Sequence, residues 1–299
     1  EYIIPTLVKT QDGYLTGVVS VSAGNKTSMA VAEDGKAYVW GDNKNKELGI
    51  VDSTTSYAIQ ITSLQDKKGN ELELEEIEIV EAGENHFSIS DKRGFVYSVG
   101  LNTNGQLGTE DEIAREIFTK IGRVEIITNP EILEIPVNTT QDISVILSNT
   151  FNLKGDIAEE GKVYLQNTNI KEITVQTIDG VDNSETTNID NFVPNYRVTG
   201  NKIGRVVLIA TSEEGHKRNI WVNIVDNLGG NSEDSGSTEG DSQEENNQST
   251  KVPAKVVNGN GFTIALRSDG TVWSFGKNAN GQLGLSHTNN TNKPEKIEV

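Results

Sequence analysis

Lys277-Asn278-Ala279-Asn280-Gly281-Gln282-Leu283-Gly284 closes a pattern of about 26 residues that occurs three times in this chain. The copies occupy residues 24–49, 83–108 and 259–284, each bounded by glycines, and they align without gaps. The first contains Asp34-Gly35, then Tyr38-Val39-Trp40-Gly41, Asn43 and Leu48-Gly49. The second contains Gly94, Tyr97, Gly100, Asn102 and Gly105-Gln106-Leu107-Gly108. The third contains Asp269-Gly270, Trp273-Ser274-Phe275-Gly276, Asn278 and the closing Gly-Gln-Leu-Gly. A gapless repeat of this length predicts a modular all-β architecture, in which each unit buries its apolar face on the next.

Each copy reads as a hairpin followed by a turn. Ser28-Met29-Ala30-Val31 and Thr263-Ile264-Ala265-Leu266 alternate small and large residues, the period of a strand with two distinct faces. Asp34-Gly35 and Asp269-Gly270 supply the positive φ of a tight turn. An aromatic and β-branched strand follows, closed by a glycine. The second copy departs from the pattern, with Arg93 in place of the turn aspartate; in the first, Lys46 replaces the loop glycine. A fourth strand completing a propeller blade is expected outside each copy. Candidates are Pro5-Thr6-Leu7-Val8, Ala58-Ile59-Gln60-Ile61, Ile117-Phe118-Thr119-Lys120-Ile121 and Pro294-Glu295-Lys296-Ile297.

These residues together resemble the regulator-of-chromosome-condensation repeat, most closely in the third copy. With flanking strands, the resemblance covers roughly residues 1–126 and 251–299. It implies a seven-bladed β-propeller fold, known from a eukaryotic nucleotide exchange factor and from secreted bacterial propellers, one of which inhibits β-lactamases. The matching residues are structural, so the resemblance implies a fold and carries over no active residue.

Gly24 and Gly83 are 59 positions apart, but Gly83 and Gly259 are 176 apart. Residues 127–250 account for the excess. Within 127–226, Ile132-Leu133-Glu134-Ile135, Ile143-Ser144-Val145-Ile146-Leu147, Ile173-Thr174-Val175, Tyr196-Arg197-Val198, Val206-Val207-Leu208-Ile209-Ala210 and Ile220-Trp221-Val222-Asn223-Ile224 read as short strands between polar turns. That spacing predicts an immunoglobulin-like β-sandwich. The run from Val198 through Gly204 into Val206 to Ala210, ending at Trp221 to Ile224, resembles the second half of a bacterial immunoglobulin-like domain. Residues 227–250 contain no aromatic residue and no positive charge and predict a disordered acidic linker. Either the sandwich interrupts one propeller, or residues 251–299 open a second one.

The net charge of −18 works against nucleic acid and anionic lipid, because phosphate binding rests on lysine and arginine. No apolar run approaches the roughly 20 residues of a membrane span. Cysteine is absent, and the Asn-, Thr- and Ile-rich acidic composition predicts an extracellular or cell-surface protein of a Gram-positive bacterium. The chain reads as a piece of something longer, with its export signal and anchor outside the window.

No constellation of catalytic residues emerges, and neither cofactor nor metal is expected. His86 reads as a packing histidine, and His216 and His287 as loop residues. Gly259-Asn260-Gly261 leads into a strand rather than a helix, so it offers no phosphate site. The aromatics Tyr38, Trp40, Tyr97, Trp273 and Phe275 read as interblade core rather than as a sugar-stacking platform. Contact with a partner is expected from the rim loops, at Asp42, Asn43, Lys44, Asn102, Asn104, Asn278 and Asn280. The reading is a non-catalytic exported binding or spacer protein, with a protein or glycan at the cell exterior as partner. The alternatives are a propeller-type inhibitor or regulator of an enzyme, then a nucleotide exchange factor, then a glycan-processing enzyme.

Overall fold

A computed structural model describes residues 6–44, 46–50, 54–130, 133–154, 163–167, 171–178, 194–212, 215–226 and 252–298. All regular elements among them are strands. The chain divides into two compact units. One comprises Glu1–Arg123, Thr150–Gly155 and Lys251–Val299; the other comprises Val124–Asn149 and Asp156–Thr250.

The first blade is an antiparallel meander of β1 (Val18–Ala23), β2 (Thr27–Ala32), β3 (Ala37–Asp42) and β4 (Thr54–Gln60). Gly35, at φ 75°, makes the turn between β2 and β3. Gly41 is required for a different reason. At φ 117°, its position would put a Cβ 2.3 Å from the Lys26 carbonyl oxygen, so only glycine lets the two loops approach.

The second blade has β7 (Ile77–Ala82), β8 (His86–Asp91), β9 (Val96–Gly100) and β10 (Arg115–Lys120), extended at its outer edge by β5 (Leu64–Gln65) and β6 (Glu71–Leu72). The missing turn aspartate is replaced from the preceding strand. Asp91 accepts the Phe95 amide at 2.9 Å and the Tyr97 hydroxyl at 3.0 Å, so the turn is held without an acid at position 93. Three of the four expected blade-completing strands form, as β4, β10 and later β22. Thr6, Leu7 and Val8 belong to no strand; Lys9 makes an isolated bridge to Tyr14, and its carbonyl accepts the Ala58 amide at 2.7 Å.

In the second unit, β11 (Val124–Asn129), β12 (Leu133–Pro136), β13 (Thr140–Asn149), β14 (Val163–Asn167), β15 (Ile173–Thr177), β16 (Tyr196–Gly200), β17 (Gly204–Ser212) and β18 (Lys217–Val225) form two four-stranded sheets. Their orders are β11-β13-β16-β15 and β12-β18-β17-β14. Leu133, Ile143, Val145, Val198, Leu208 and Val222 belong to one buried core to which both sheets contribute. This is a β-sandwich. Ile132 and the expected linker 227–250 lie outside the described residues.

The third blade is β19 (Lys255–Asn258), β20 (Phe262–Leu266), β21 (Val272–Gly276) and β22 (Thr291–Lys296). β7 packs on β1 and β2 of the first blade, and β19 packs on β7 and β8 of the second. The three blades therefore stand in succession within one unit, and the insertion separates the second from the third along the chain. One stretch of that insertion belongs with the blades. Residues 127–226 were expected to be sandwich throughout, but Thr150–Gly155 is part of the propeller unit. Phe151 and Leu153 share a core with Val96, Ile121, Val256, Ala265 and Phe275. Phe151 meets Trp273 edge-on at 5.8 Å and Phe275 at 6.1 Å. The loop thus buries apolar area of the second and third blades.

Candidate functional site

In a four-stranded meander the first and third connections lie at the same end of the blade. Here they are tied together in all three. Asp42 N–H donates to the Lys26 carbonyl at 3.1 Å, Leu101 N–H to Asn85 at 2.9 Å, and Lys277 N–H to Gly261 at 2.7 Å. The result is one polar face built from six loops. The inner loops, 23–25, 82–84 and 258–260, line an open cleft of about 440 Å³. Farther out, Asn104, Glu112, His287, Asn289, Asn290, Asn292 and Glu295 line a second cleft, with Thr291, of about 250 Å³. Asn290 Nδ2 donates to Asn104 Oδ1 at 3.4 Å, and Glu110 N–H to the Asn292 carbonyl at 2.7 Å, so the second cleft bridges two blades.

The seven rim residues singled out from sequence divide into two classes. Asn43, Asn102 and Asn278 are fully buried, which corrects their assignment as contact residues. Each folds its own loop. Its Oδ1 accepts the amide of the leucine five residues on, Leu48 at 2.9 Å, Leu107 at 3.0 Å and Leu283 at 3.0 Å. Its Nδ2 donates to loop carbonyls: Ile50 at 3.1 Å, Asp111 at 2.9 Å and His287 at 2.8 Å respectively. The polar side chain thus satisfies backbone groups that the turn would leave buried and unpaired. The leucines it orients are 0% exposed. Gln106 and Gln282 repeat the device, each accepting the amide two residues back, at Asn104 and Asn280. Lys46 takes φ 61° at the place where Gly105 and Gly281 take 75° and 73°. Asp42, Lys44, Asn104 and Asn280 do reach the surface. A motif asparagine followed at five residues by a buried leucine was the available signal for the brace.

The aromatics also divide. Tyr97 and Phe275 are buried as expected, whereas Tyr38, Trp40 and Trp273 are only half-buried. Trp273 Nε1 donates to Thr271 Oγ1 at 3.0 Å, and Arg267 lies over its ring at 5.6 Å.

Beneath the inner cleft runs a buried polar seam between the second and third blades. His86 Nε2 lies 3.1 Å from Thr263 Oγ1, which also donates to Asn258 Oδ1 at 3.0 Å. Asn258 Nδ2 donates to the Glu81 carbonyl at 2.9 Å, and Ser88 Oγ donates to Asn258 Oδ1 at 3.2 Å. His86 is 0% exposed, and burial lowers its pKa to about 4. Burial also raises the Glu81 and Asp91 carboxyls. The lowered pKa means that below about pH 6.5 the unfolded chain binds a proton that folded His86 refuses, so this contribution to stability is lost as pH falls toward 4. The two carboxyls act in the opposite direction. The stability difference between wild type and His86→Gln should therefore shrink by about 2–3 kcal/mol between pH 7 and pH 4, with wild type the more acid-sensitive. Parallel urea titrations of the two proteins at both pH values measure this; curves that move together would show that His86 does not titrate there.

Among the described residues, no group of three or more histidines and carboxylates could hold a metal ion. No helix among them is long and apolar enough to cross a membrane.

Profiles of the regulator of chromosome condensation (RCC1) repeat match residues 18–46 and 254–282, and a second profile of the same repeat matches 269–299. Protein pim1 of Schizosaccharomyces pombe is 32% identical over 116 residues, covering 36% of this chain and 20% of that protein. The X-linked retinitis pigmentosa GTPase regulator of Mus musculus is 25% identical over 147 residues, 49% of this chain and 13% of that protein. The human probable E3 ubiquitin-protein ligase HERC3 is 33% identical over 99 residues, 33% of this chain and 9% of that protein. The chain thus spans a fifth or less of the length of each of these relatives. Among solved structures, Saccharomyces cerevisiae Prp20p is 13% identical with a TM-score of 0.33, over 98% of this chain and 58% of that one. Domains 4 and 5 of the S-layer protein SbsC are 17% identical with a TM-score of 0.25, over 45% and 67%.

Proposed function

We propose that this chain, which belongs to the regulator-of-chromosome-condensation repeat family, is a non-catalytic binding and spacer protein. In this reading the six-loop face of the propeller unit recognises a protein or glycan, and the sandwich is an immunoglobulin-like spacer. The observation that carries the proposal is the composition of that face. Its clefts are open and lined mainly by backbone and by Asn25, Asn104, Asn260, Asn289 and Asn290, groups that recognise by hydrogen bonding, with Glu84 at the first and Glu112, His287 and Glu295 at the second. Placement at the exterior of a Gram-positive cell is supported by the absence of cysteine and by the acidic, Asn-rich composition. A second reading, regulation of an enzyme by covering its active site, draws support from the mouse relative, which carries the name of a GTPase regulator.

The chain, immobilised on a biosensor and presented with purified secreted proteins and cell-wall glycans, should capture ligands through this face. Asn104→Arg or Asn260→Arg should weaken that capture at least about tenfold, the effect of crowding a central contact. Capture unaffected by both substitutions would place recognition elsewhere. Salt-sensitive capture of duplex DNA at micromolar chain would overturn the proposal.

A further inference from the structure

The two sheets of the sandwich differ in what they turn away from their shared core. In β13, β16 and β15 the outward positions include Thr140, Asp142, Thr174, Gln176, Arg197 and Thr199. The charges there cancel, because Arg197 Nε and Nη2 donate to the two oxygens of Asp142 at 2.7 and 2.8 Å. On the other sheet, Val163, Val206, Leu208, Ala210, Ile220 and Val222 belong to the core, so alternation sends their neighbours outward.

Those outward positions form successive rows across β18, β17 and β14. Trp221 stands opposite Val207, Asn219 in a row with Ile209 and Gln166, and Lys217 in a row with Thr211 and Tyr164. Trp221 is 48% exposed and Tyr164 49%. The two rings are thus set two rows apart, roughly 13 Å along the strands, with side-chain amides in the row between. Each ring has a cation near it. Arg205 lies over the Trp221 ring at 4.3 Å, and Lys217 shares the row of Tyr164. Neither cation has an ion pair among the described residues. The one acid among the described outward residues of this sheet, Glu134 on β12, stands across Asn223 from Arg205. The face is therefore net positive in a chain whose net charge is −18.

We propose that this face binds an acidic polysaccharide, which adds a binding role to the sandwich assigned above as a spacer. A sugar lays its C–H groups on the electron-rich face of an aromatic ring. Its hydroxyls hydrogen-bond to amides such as Asn219 and Gln166, and its carboxylates pair with Arg205 and Lys217. Ring, amide row and ring, with a cation at each end, match a ligand that repeats along its own chain. The charge argues against the other occupants. An apolar partner would desolvate both cations without pairing them, and a second copy of the same face would set like charges against each other.

Affinity electrophoresis of the whole chain through gels containing polygalacturonate, alginate or hyaluronate tests this. At least one of the three should retard it, less so as salt is added. Trp221→Ala and Arg205→Gln should each weaken binding at least about tenfold. Trp221→Phe, which keeps a ring, should lose less than Trp221→Ala. Both positions are exposed, so neither substitution empties the core. Asn104→Arg and Asn260→Arg, which alter the six-loop face, should leave this binding unchanged, so the two proposals fail separately. Binding to none of the three polymers overturns the inference, as does binding undiminished in Trp221→Ala. Equal binding of neutral dextran overturns it by making the cations irrelevant, and equal binding of polyglutamate by making the rings irrelevant. Self-association of the chain that Trp221→Ala abolishes would also overturn it, assigning the face to a second copy.

Discussion

Phe151→Ala is expected to destabilise the propeller unit by about 3–5 kcal/mol, the cost of emptying a large aromatic site in a packed core. Phe151 is 1% exposed and sits edge-on to both Trp273 and Phe275, beside Leu153, Val96 and Ile121. The substitution removes a ring from an interface that three separate stretches of chain build. It also loosens the attachment of Thr150–Gly155, whose backbone is held by Leu153 N–H donating to the Gly94 carbonyl at 2.9 Å and Ser268 N–H donating to Leu153 at 2.7 Å. Hydrogen exchange read separately on β20 and β21 and on β17 and β18 isolates the unit affected. Faster exchange in the third blade with an unchanged sandwich is the expected pattern. A cost below about 1 kcal/mol would mean that the loop is merely laid over the blade.

The second large effect belongs to Asn102→Ala, at about 2–4 kcal/mol. The side chain is fully buried and holds the Leu107 amide, the Asp111 carbonyl and, at 3.2 Å, the Ile113 carbonyl. Alanine leaves the buried Leu107 amide without its partner, at about 1–3 kcal/mol, and strips the part-buried Asp111 carbonyl, while the Ile113 carbonyl keeps Arg115 at 2.7 Å. Asn278→Ala removes one amide and one carbonyl partner, Leu283 and His287, and should cost less. Asn104→Ala, two residues from the brace but at the surface, should change stability by no more than about 0.5 kcal/mol. Urea denaturation of the three variants gives the order directly. If Asn102→Ala and Asn104→Ala are equally mild, the asparagine is not what shapes the loop.

The blades were legible because their determinants are local. Asp34-Gly35 makes its turn from φ preferences alone, and the alternation of Ser28 to Val31 announces two faces wherever the strand ends up. Leu48, Leu107 and Leu283 are buried, since a lone leucine in a polar loop has few other uses. Gly41, Gly100 and Gly276 were visible as strand terminators. Their reason, a carbonyl oxygen 2.3–2.5 Å from where a Cβ would be, belongs to a neighbouring loop.

The errors share one origin. Asn43, Asn102 and Asn278 looked like rim contacts because an asparagine in a loop is ordinarily solvated. Whether its amide meets water or its own backbone depends on how tightly the turn closes. Trp40 and Trp273 looked like core because they stand at strand positions that must pack, yet how far they are buried depends on what stands across from them. Phe151 and Leu153 lie in sequence amid sandwich strands and pack in space beneath Phe275, a distance of more than a hundred residues that no periodicity encodes. Repeat identity, turn positions and the alternation of faces were settled by sterics within a few residues of chain. The choice of which asparagine is buried, which loop caps which blade, and that the third blade continues the row of the first two was made by non-local packing. There, complementary surfaces compete for the same apolar area and only the assembled fold decides between them.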